Sequence, residues 1–213
     1  ATLAADSLSN LGDLTTAGTD AITITVNDAD DAAVTASNLS TLGGKTAGTV
    51  TVTNAVAISG TAAQVTAALV TADTLVVVED AGVTISDGDA TALDATALSA
   101  IGNKTTGTVT VTNAVVISGT EAEVTAALVT DGSKVEVSDA KVTISGNPSI
   151  TALNNIAAET TGVVTATLAA DSLSNLGSLS TASTDVITVT VNDADDADVT
   201  ASNLSTLGGK TAG

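Results

Sequence analysis

Residues 49–71 read TVTVTNAVAISGTAAQVTAALVT, and residues 108–130 read TVTVTNAVVISGTEAEVTAALVT. The two are near copies, and their reading decides the fold. Each opens with strict alternation, Thr49-Val50-Thr51-Val52-Thr53 in the first, which is the period of a strand with one apolar face. An Asx-Ala corner comes next, then a second short apolar run, then Ser-Gly-Thr. A Ser/Gly/Asp cluster at this place in the unit suits a helix N-cap. The stretch closes on eight to twelve residues with helical spacing.

Outward from this stretch the pattern Val-x-Val-x-Asx-Ala recurs at 50–55, 76–81, 109–114 and 135–140, with Ile first at 24–29, and again at 189–194. A larger duplication lies over it. Residues 1–48 match residues 166–213 at 42 of 48 positions. A Thr-x-Gly marker starts at Thr46, Thr105, Thr160 and Thr211. Six short units fill the 165-residue offset, so one unit is about 27 residues long. Apolar pairs at helical spacing mark the helices: Leu98 and Ile101, Leu153 and Ile156, Leu173 and Leu176, Leu204 and Leu207. Gly102, Gly177 and Gly208 come after them as stop signals. Lys45, Lys104 and Lys210 lie just beyond, where a helix dipole favours a cation.

A unit of this size cannot bury its apolar face alone, and stacking its neighbours solves that. The expected fold is a right-handed parallel β-solenoid with strand-corner-strand-helix rungs. An all-β parallel β-helix is the alternative. Residues 1–213 are expected to form a single continuous solenoid segment of a longer array. The start at Ala1, without an initiator Met, reads as a fragment. The core is expected as two columns: Val50, Val76, Val109, Val135 and Val189, then Val52, Val78, Val111, Val137 and Val191. The Asx positions read Asp28, Asn54, Asp80, Asn113, Asp139, Leu168 and Asp193, so Asp alternates with a neutral residue, as either stacked neighbours that keep like charges apart or duplication of a two-rung unit would produce.

Composition removes most functions. The chain has no Cys, His, Met, Phe, Tyr or Trp, and its five basic residues are all Lys. Nucleophile systems built on His or Cys are therefore absent, as are zinc sites with N/S ligands and haem ligands. Twenty-four acids against five bases give a net charge of −19, so nucleic-acid binding has no basic footprint. No apolar run approaches the ~20 residues of a membrane span. No enzymatic activity and no cofactor are expected. A protein without sulfur has little to oxidise, which suits an exposed setting.

Three surface features carry candidate chemistry. The ladder of Thr51, Thr53, Thr110, Thr112, Thr165, Thr167 and Thr190 has the regularity of some ice-binding faces, but Thr is also simply a good exposed strand residue. Asp28, Asp30 and Asp31, with Asp193, Asp195, Asp196 and Asp198, could gather the oxygens of a weak Ca²⁺ site. Asp87 and Asp89 form a smaller cluster. The plain reading of all of them is a solvated, solubilising loop. Gly43-Gly44-Lys45-Thr46 lacks the first Gly of a phosphate loop and reads as a turn.

The stretches TTGTVTVTNAVVISGTEAEVTAAL and ATLAADSLSNLG resemble repeat regions of very large bacterial extracellular or cell-surface proteins of the cyanobacterial type. The resemblance implies an extracellular structural role and carries no catalytic residue across. The expected function is a non-enzymatic fibre, sheath, surface layer or adhesin stalk that self-associates. The second reading is a Ca²⁺-dependent or glycan-binding adhesin module.

Overall fold

The computed structural model describes every residue except 73, 74, 131 and 196. Among the described residues it holds thirteen short strands and eight α-helices. The chain runs α1 (Leu8–Leu11), β1 (Ile24–Val26), β2 (Ala33–Thr35), α2 (Ala36–Gly43), β3 (Val50–Val52), β4 (Ala57–Gly60) and α3 (Ala62–Val65), which continues as a π-turn over Thr66–Val70. It goes on through β5 (Val76–Val78), β6 (Gly82–Ile85), β7 (Ala92–Asp94), α4 (Ala95–Gly102), β8 (Val109–Val111), β9 (Val116–Thr120) and α5 (Glu121–Leu128). The last part holds β10 (Val135–Val137), β11 (Lys141–Ser145), α6 (Ile150–Ala158), β12 (Val164–Thr167), α7 (Leu173–Leu176), β13 (Val186–Thr188) and α8 (Ala201–Gly208).

The strands form three separate sheets, ordered β1-β3-β5, β10-β8-β6-β4-β2 and β13-β12-β11-β9-β7. Their registered pairs are parallel. The expected right-handed β-solenoid of uniform rungs, and its all-β alternative, are both corrected: this is a mixed α/β fold. The filament expected from end-to-end propagation of identical rungs rested on that architecture and falls with it.

The departure has a local cause. Residues 76–102 carry three strands before their helix, where residues 24–43 and 50–65 carry two. The added strand, β7, displaces everything after it by one position. Strand β6 therefore pairs with β4 on one side and with β8 on the other. Val109 is in register with Val83, not with Val76 as the core column required. A second displacement comes after β11, which pairs with both β9 and β12. Spacing is not uniform either: Val50 pairs with Val76, Val142 with Val164, and Thr165 with Val186. Val189 and Val191 lie outside any strand and are half-buried.

Two compact units result. The first comprises Ala1–Asp87, Ala97–Thr112 and Asp131–Glu136, and the second Gly88–Thr96, Asn113–Thr130 and Val137–Gly213. In the first, alternate strand residues point inward and are fully covered: Ile24, Val50, Ile58, Ile85 and Val109. Leu39, Leu42 and Ile101 come down on them from helices. In the second, Leu93, Ile117, Val142 and Val164 stand in register across four strands. Val124, Leu153, Ile156 and Leu176 are buried on its helices. Each such side chain contributes about 1.5–3 kcal/mol before entropy. Strands of three to five residues survive in this setting because the ladder of a neighbour and a helix cover them; alone they would be marginal.

The helices owe their starts to side chains. Ser7, Thr35, Ser149, Ser172 and Thr200 each accept from the backbone N–H three residues on. Thr61 and Thr120 complete capping boxes with Gln64 and Glu123. The four expected Leu and Ile pairs lie on α4, α6, α7 and α8, but only seven of the eight residues are buried: Leu204 is 44% exposed. The glycine stops act differently from the expectation. Gly177 caps its helix at φ −60, a right-handed conformation open to any residue. At Gly102 the constraint is space, since a Cβ there would lie 1.7 Å from the Ser133 carbonyl oxygen.

Candidate functional site

The most regular polar feature is the Thr-x-Gly marker. Thr46 is 2% exposed, and its hydroxyl accepts from the N–H of Ile22 (2.9 Å) and of Gly48 (2.8 Å). Its own proton is shared between the Ile22 and Asp20 carbonyls, at 2.7 and 2.9 Å. Thr211 repeats the arrangement on Ile187 and Asp185. Thr105 accepts from Gly107 and donates to Ala81 at 2.6 Å; Thr160 accepts from Gly162 and donates to Ala140 at 2.6 Å. One hydroxyl thus fastens the entrance of a strand to the preceding segment and replaces backbone partners that burial would otherwise leave unmet. The glycine is required by close approach. A Cβ would lie 2.3 Å from the Ile22 carbonyl oxygen at Gly48, 2.5 Å from that of Ala81 at Gly107, and 2.3 Å from that of Ala140 at Gly162.

Carboxylates serve the same end. Asp28 accepts from the N–H of Leu8 at 2.7 Å, and Asp193 from that of Leu173 at 2.9 Å. Asp87 accepts from Ala62 at 2.6 Å. Leu8, Leu173 and Ala62 are the first residues of α1, α7 and α3, so each helix start receives an acid from a later segment in addition to its own N-cap. Those N–H groups have no partner within the helix, and a negative charge there is favoured by the dipole. Asp30 and Asp89 accept from Ala55 and Ala114, both at 3.2 Å.

Lys45 and Lys210 do not serve their own helices, contrary to the expectation. The Lys45 ammonium donates to the carbonyls of Gly12 and Leu14 just past α1, and Lys210 donates to Gly177 at the end of α7. Gly43-Gly44-Lys45-Thr46 is the exit turn of α2, with Gly44 as its right-handed cap.

The acidic candidates are therefore dispersed. Asp28 and Asp193 are half-buried at helix starts, Asp30 and Asp31 are exposed, and so are Asp195 and Asp198. Asp196 lies outside the described residues. Asp31 sits at φ +59 and its N–H donates to the Ala55 carbonyl. Among the described residues no group of three or more carboxylates is placed to hold a metal ion. Asp28, Asp30 and Asp193 each accept from a different backbone N–H, those of Leu8, Ala55 and Leu173. The Thr ladder is likewise divided: Thr51 belongs to the first sheet, Thr110 to the second and Thr165 to the third. In register with Thr51 stands Val77, and with Thr165 stands Val186.

A shallow hollow in the second unit is lined by Pro148, Ile150, Leu168, Asp171, Asn175 and Ser178. Its one carboxylate, Asp171, already accepts from Ser172 N–H and from the Asn175 amide. No helix is long and apolar enough to cross a membrane among the described residues.

No family model, curated protein or solved structure matches the chain.

Sequence reasoning marked the Thr-x-Gly positions as repeat punctuation and missed their role. The usable signal was the pairing of a hydroxyl with a glycine two residues on, at every recurrence. Asp20 and Asp185 were also missed. Asp185 is 3% exposed, accepts from Val164 and Ala182, and orders the loop that its backbone carbonyl then presents to Thr211.

Proposed function

We propose that the chain is a non-enzymatic structural repeat module that acts at a cell surface or outside the cell. One observation supports this reading most. The hydroxyls and carboxylates that could perform chemistry recur at equivalent places, and they are spent on joining one segment to the next. A catalytic constellation is unique to one place, whereas Thr46, Thr105, Thr160 and Thr211 do one task four times. The composition agrees. A chain without Cys or Met offers oxidants no sulfur, and a net charge of −19 keeps a surface rich in Thr, Ser and Ala in solution.

The test is mechanical. With handles fused to both ends, the chain is pulled by optical tweezers in the presence and absence of Ca²⁺. A structural module resists extension and then yields in discrete steps, with the same force in Ca²⁺ and in chelator. A chain that tracks the extension curve of an unstructured linker overturns the reading. A force or melting temperature that rises with Ca²⁺ transfers support to the ligand-binding adhesin module.

A further inference from the structure

The outward face of the third sheet carries a grid of hydroxyls. Ser118 on β9 is in register with Thr143 on β11, and Thr143 with Thr165 on β12. Two residues along, Thr120 is in register with Ser145, and Thr167 with Thr188 on β13. Four neighbouring strands therefore read Ser-x-Thr, Thr-x-Ser, Thr-x-Thr and Val-x-Thr across one face, all of it within the second unit. Thr165 is half-buried, and the other hydroxyl residues of the grid are exposed. Parallel strands set the rows about 4.8 Å apart, and two residues of rise set the columns about 6.6 Å apart.

The other two sheets are built differently. In the second, Thr35, Ser59, Thr84 and Thr110 form one column, and beside it stand Ala33, Ala57 and Gly82. In the first, Thr25 and Thr51 are followed by Val77. Stacking by sequence alone would interpose the charged Glu136 between Thr110 and Thr165, but Glu136 lies on β10 in the second sheet. The grid has firm support. Ile144, Ala166 and Ile187, which alternate with its hydroxyls, are 4% exposed or less. Thr is also stiff at χ1, so a fixed backbone fixes its hydroxyl and methyl. Thr120 accepts from the Glu123 N–H and Ser145 donates to the Gly119 carbonyl. Among the described residues, the hydroxyls of Ser118, Thr143, Thr165, Thr167 and Thr188 have no partner within the chain, unlike the fastening hydroxyls of the Thr-x-Gly positions.

We infer that this face binds ice. Ice is water held in a lattice by hydrogen bonds of fixed direction. Each free hydroxyl can donate to one water and accept from others, and the Thr methyls between them leave that water few alternative positions. Because the hydroxyls are already ordered by the sheet, the entropy of arranging them is not lost on binding. The chemistry of the grid disfavours other periodic surfaces. The chain has no aromatic side chain to stack on the rings of a crystalline polysaccharide. A mineral calls for charge, and here the charges stand at the border: Asp94 is in register with Ser118, and Lys141 with Val116. The inference goes beyond the structural role proposed above and does not rest on it, and the pulling experiment and the ice experiment can fail separately.

The test uses the whole 213-residue chain and a single ice crystal held in its solution. The crystal should take on facets and freeze below its melting point, by a gap that widens with protein concentration. A fluorescently labelled chain should enter a growing ice front instead of being pushed ahead of it. Thr143→Lys and Thr167→Lys each place a long charged side chain inside the grid and should abolish the gap. Both positions are exposed, so circular dichroism spectrum and melting temperature should stay unchanged. Thr110→Lys, on the single column of the second sheet, should leave the gap as it was. An unfaceted crystal with no gap overturns the inference. So does a gap that both grid variants preserve, a gap that Thr110→Lys removes equally, or sedimentation with microcrystalline cellulose by a chain that ice excludes.

Discussion

Residues 1–48 and 166–213 are nearly one sequence in two surroundings, and they fold to different extents on opposite sides. The first copy is sealed on its C-terminal side, by the strand and helix of residues 57–65. Val34, Leu39 and Leu42 are all 3% exposed or less. The second copy is sealed on its N-terminal side, by the segment that ends at β12. Leu179, Thr181 and Asp185 are 0%, 7% and 3% exposed, whereas their counterparts Leu14 and Thr16 are half-buried and Asp20 is exposed. The strand choice obeys the same rule. The first copy uses Ile24–Val26, which meets β3; the second uses Val186–Thr188, which meets β12. Burial and even strand position in this protein are properties of a pair of segments, not of a segment.

The widest separation between the copies is expected at one apolar position. Leu39→Ala removes a fully buried side chain and should cost about 2–5 kcal/mol. Leu204→Ala changes the same residue of the same repeat where it is exposed, and should stay within about 0.5 kcal/mol. Urea denaturation monitored by circular dichroism measures both. Equal losses would show that neighbours do not set the burial of this motif.

A smaller contrast is expected at the fastening hydroxyls. Thr46→Val takes the hydroxyl acceptor from the Gly48 N–H and leaves the Ile22 N–H with the Asp20 carbonyl alone, at about 1–3 kcal/mol if the Gly48 group stays buried. Thr211→Val makes the same change at a half-buried site, where water can reach the freed groups, so its cost should be distinctly lower. Hydrogen exchange at Ile22 and Ile187 reports the two sites separately.

The finest effect is ionic. The Asn10 side chain, and then the Ser7 N–H, donate to Asp6 and hold its carboxyl below the ordinary value of 3.8. A lowered folded-state pKa means that the stabilisation is present above the unfolded value and fades as pH falls through the folded one. The Asp6 contacts at the start of α1 should thus persist in mild acid and fail only below the usual carboxylate range. Asn10→Ala should move the Asp6 titration back towards 3.8, as read by NMR.

Much of this was legible. The alternating Thr-Val runs became strands, and Ser7, Ser149 and Ser172 became N-caps, because both signals act within a few residues, while the Thr caps at Thr35, Thr61, Thr120 and Thr200 lay outside the Ser/Gly/Asp signal. The strand that reorganises the sheets did not announce itself. Ala92-Leu93-Asp94 has weak strand propensity, and it is a strand because Val116-Ile117-Ser118 lies in register beside it. Without β7, a uniform repeat and unbroken Val columns were the natural inference. The acidic groups misled for a related reason. Asp28, Asp30 and Asp31 are adjacent in sequence, but Asp28 and Asp30 are turned towards Leu8 and Ala55, residues on segments that sequence distance conceals. Leu204 could not have been read correctly from its own sequence, since Leu39 has the same neighbours and the opposite exposure.

The Thr-x-Gly fastener has a consequence for how such a chain can be copied. Its hydroxyl reaches back 24 residues from Thr46, from Thr105 and from Thr211, and 20 from Thr160. Hook and eye therefore lie within one segment length of each other on the gene. The duplication of residues 1–48 as 166–213 copied both halves together, and Thr211 closes on Ile187 as Thr46 closes on Ile22. A stretch copied whole in this way brings its own junction with it, and no new pair of residues has to arise for the copy to hold.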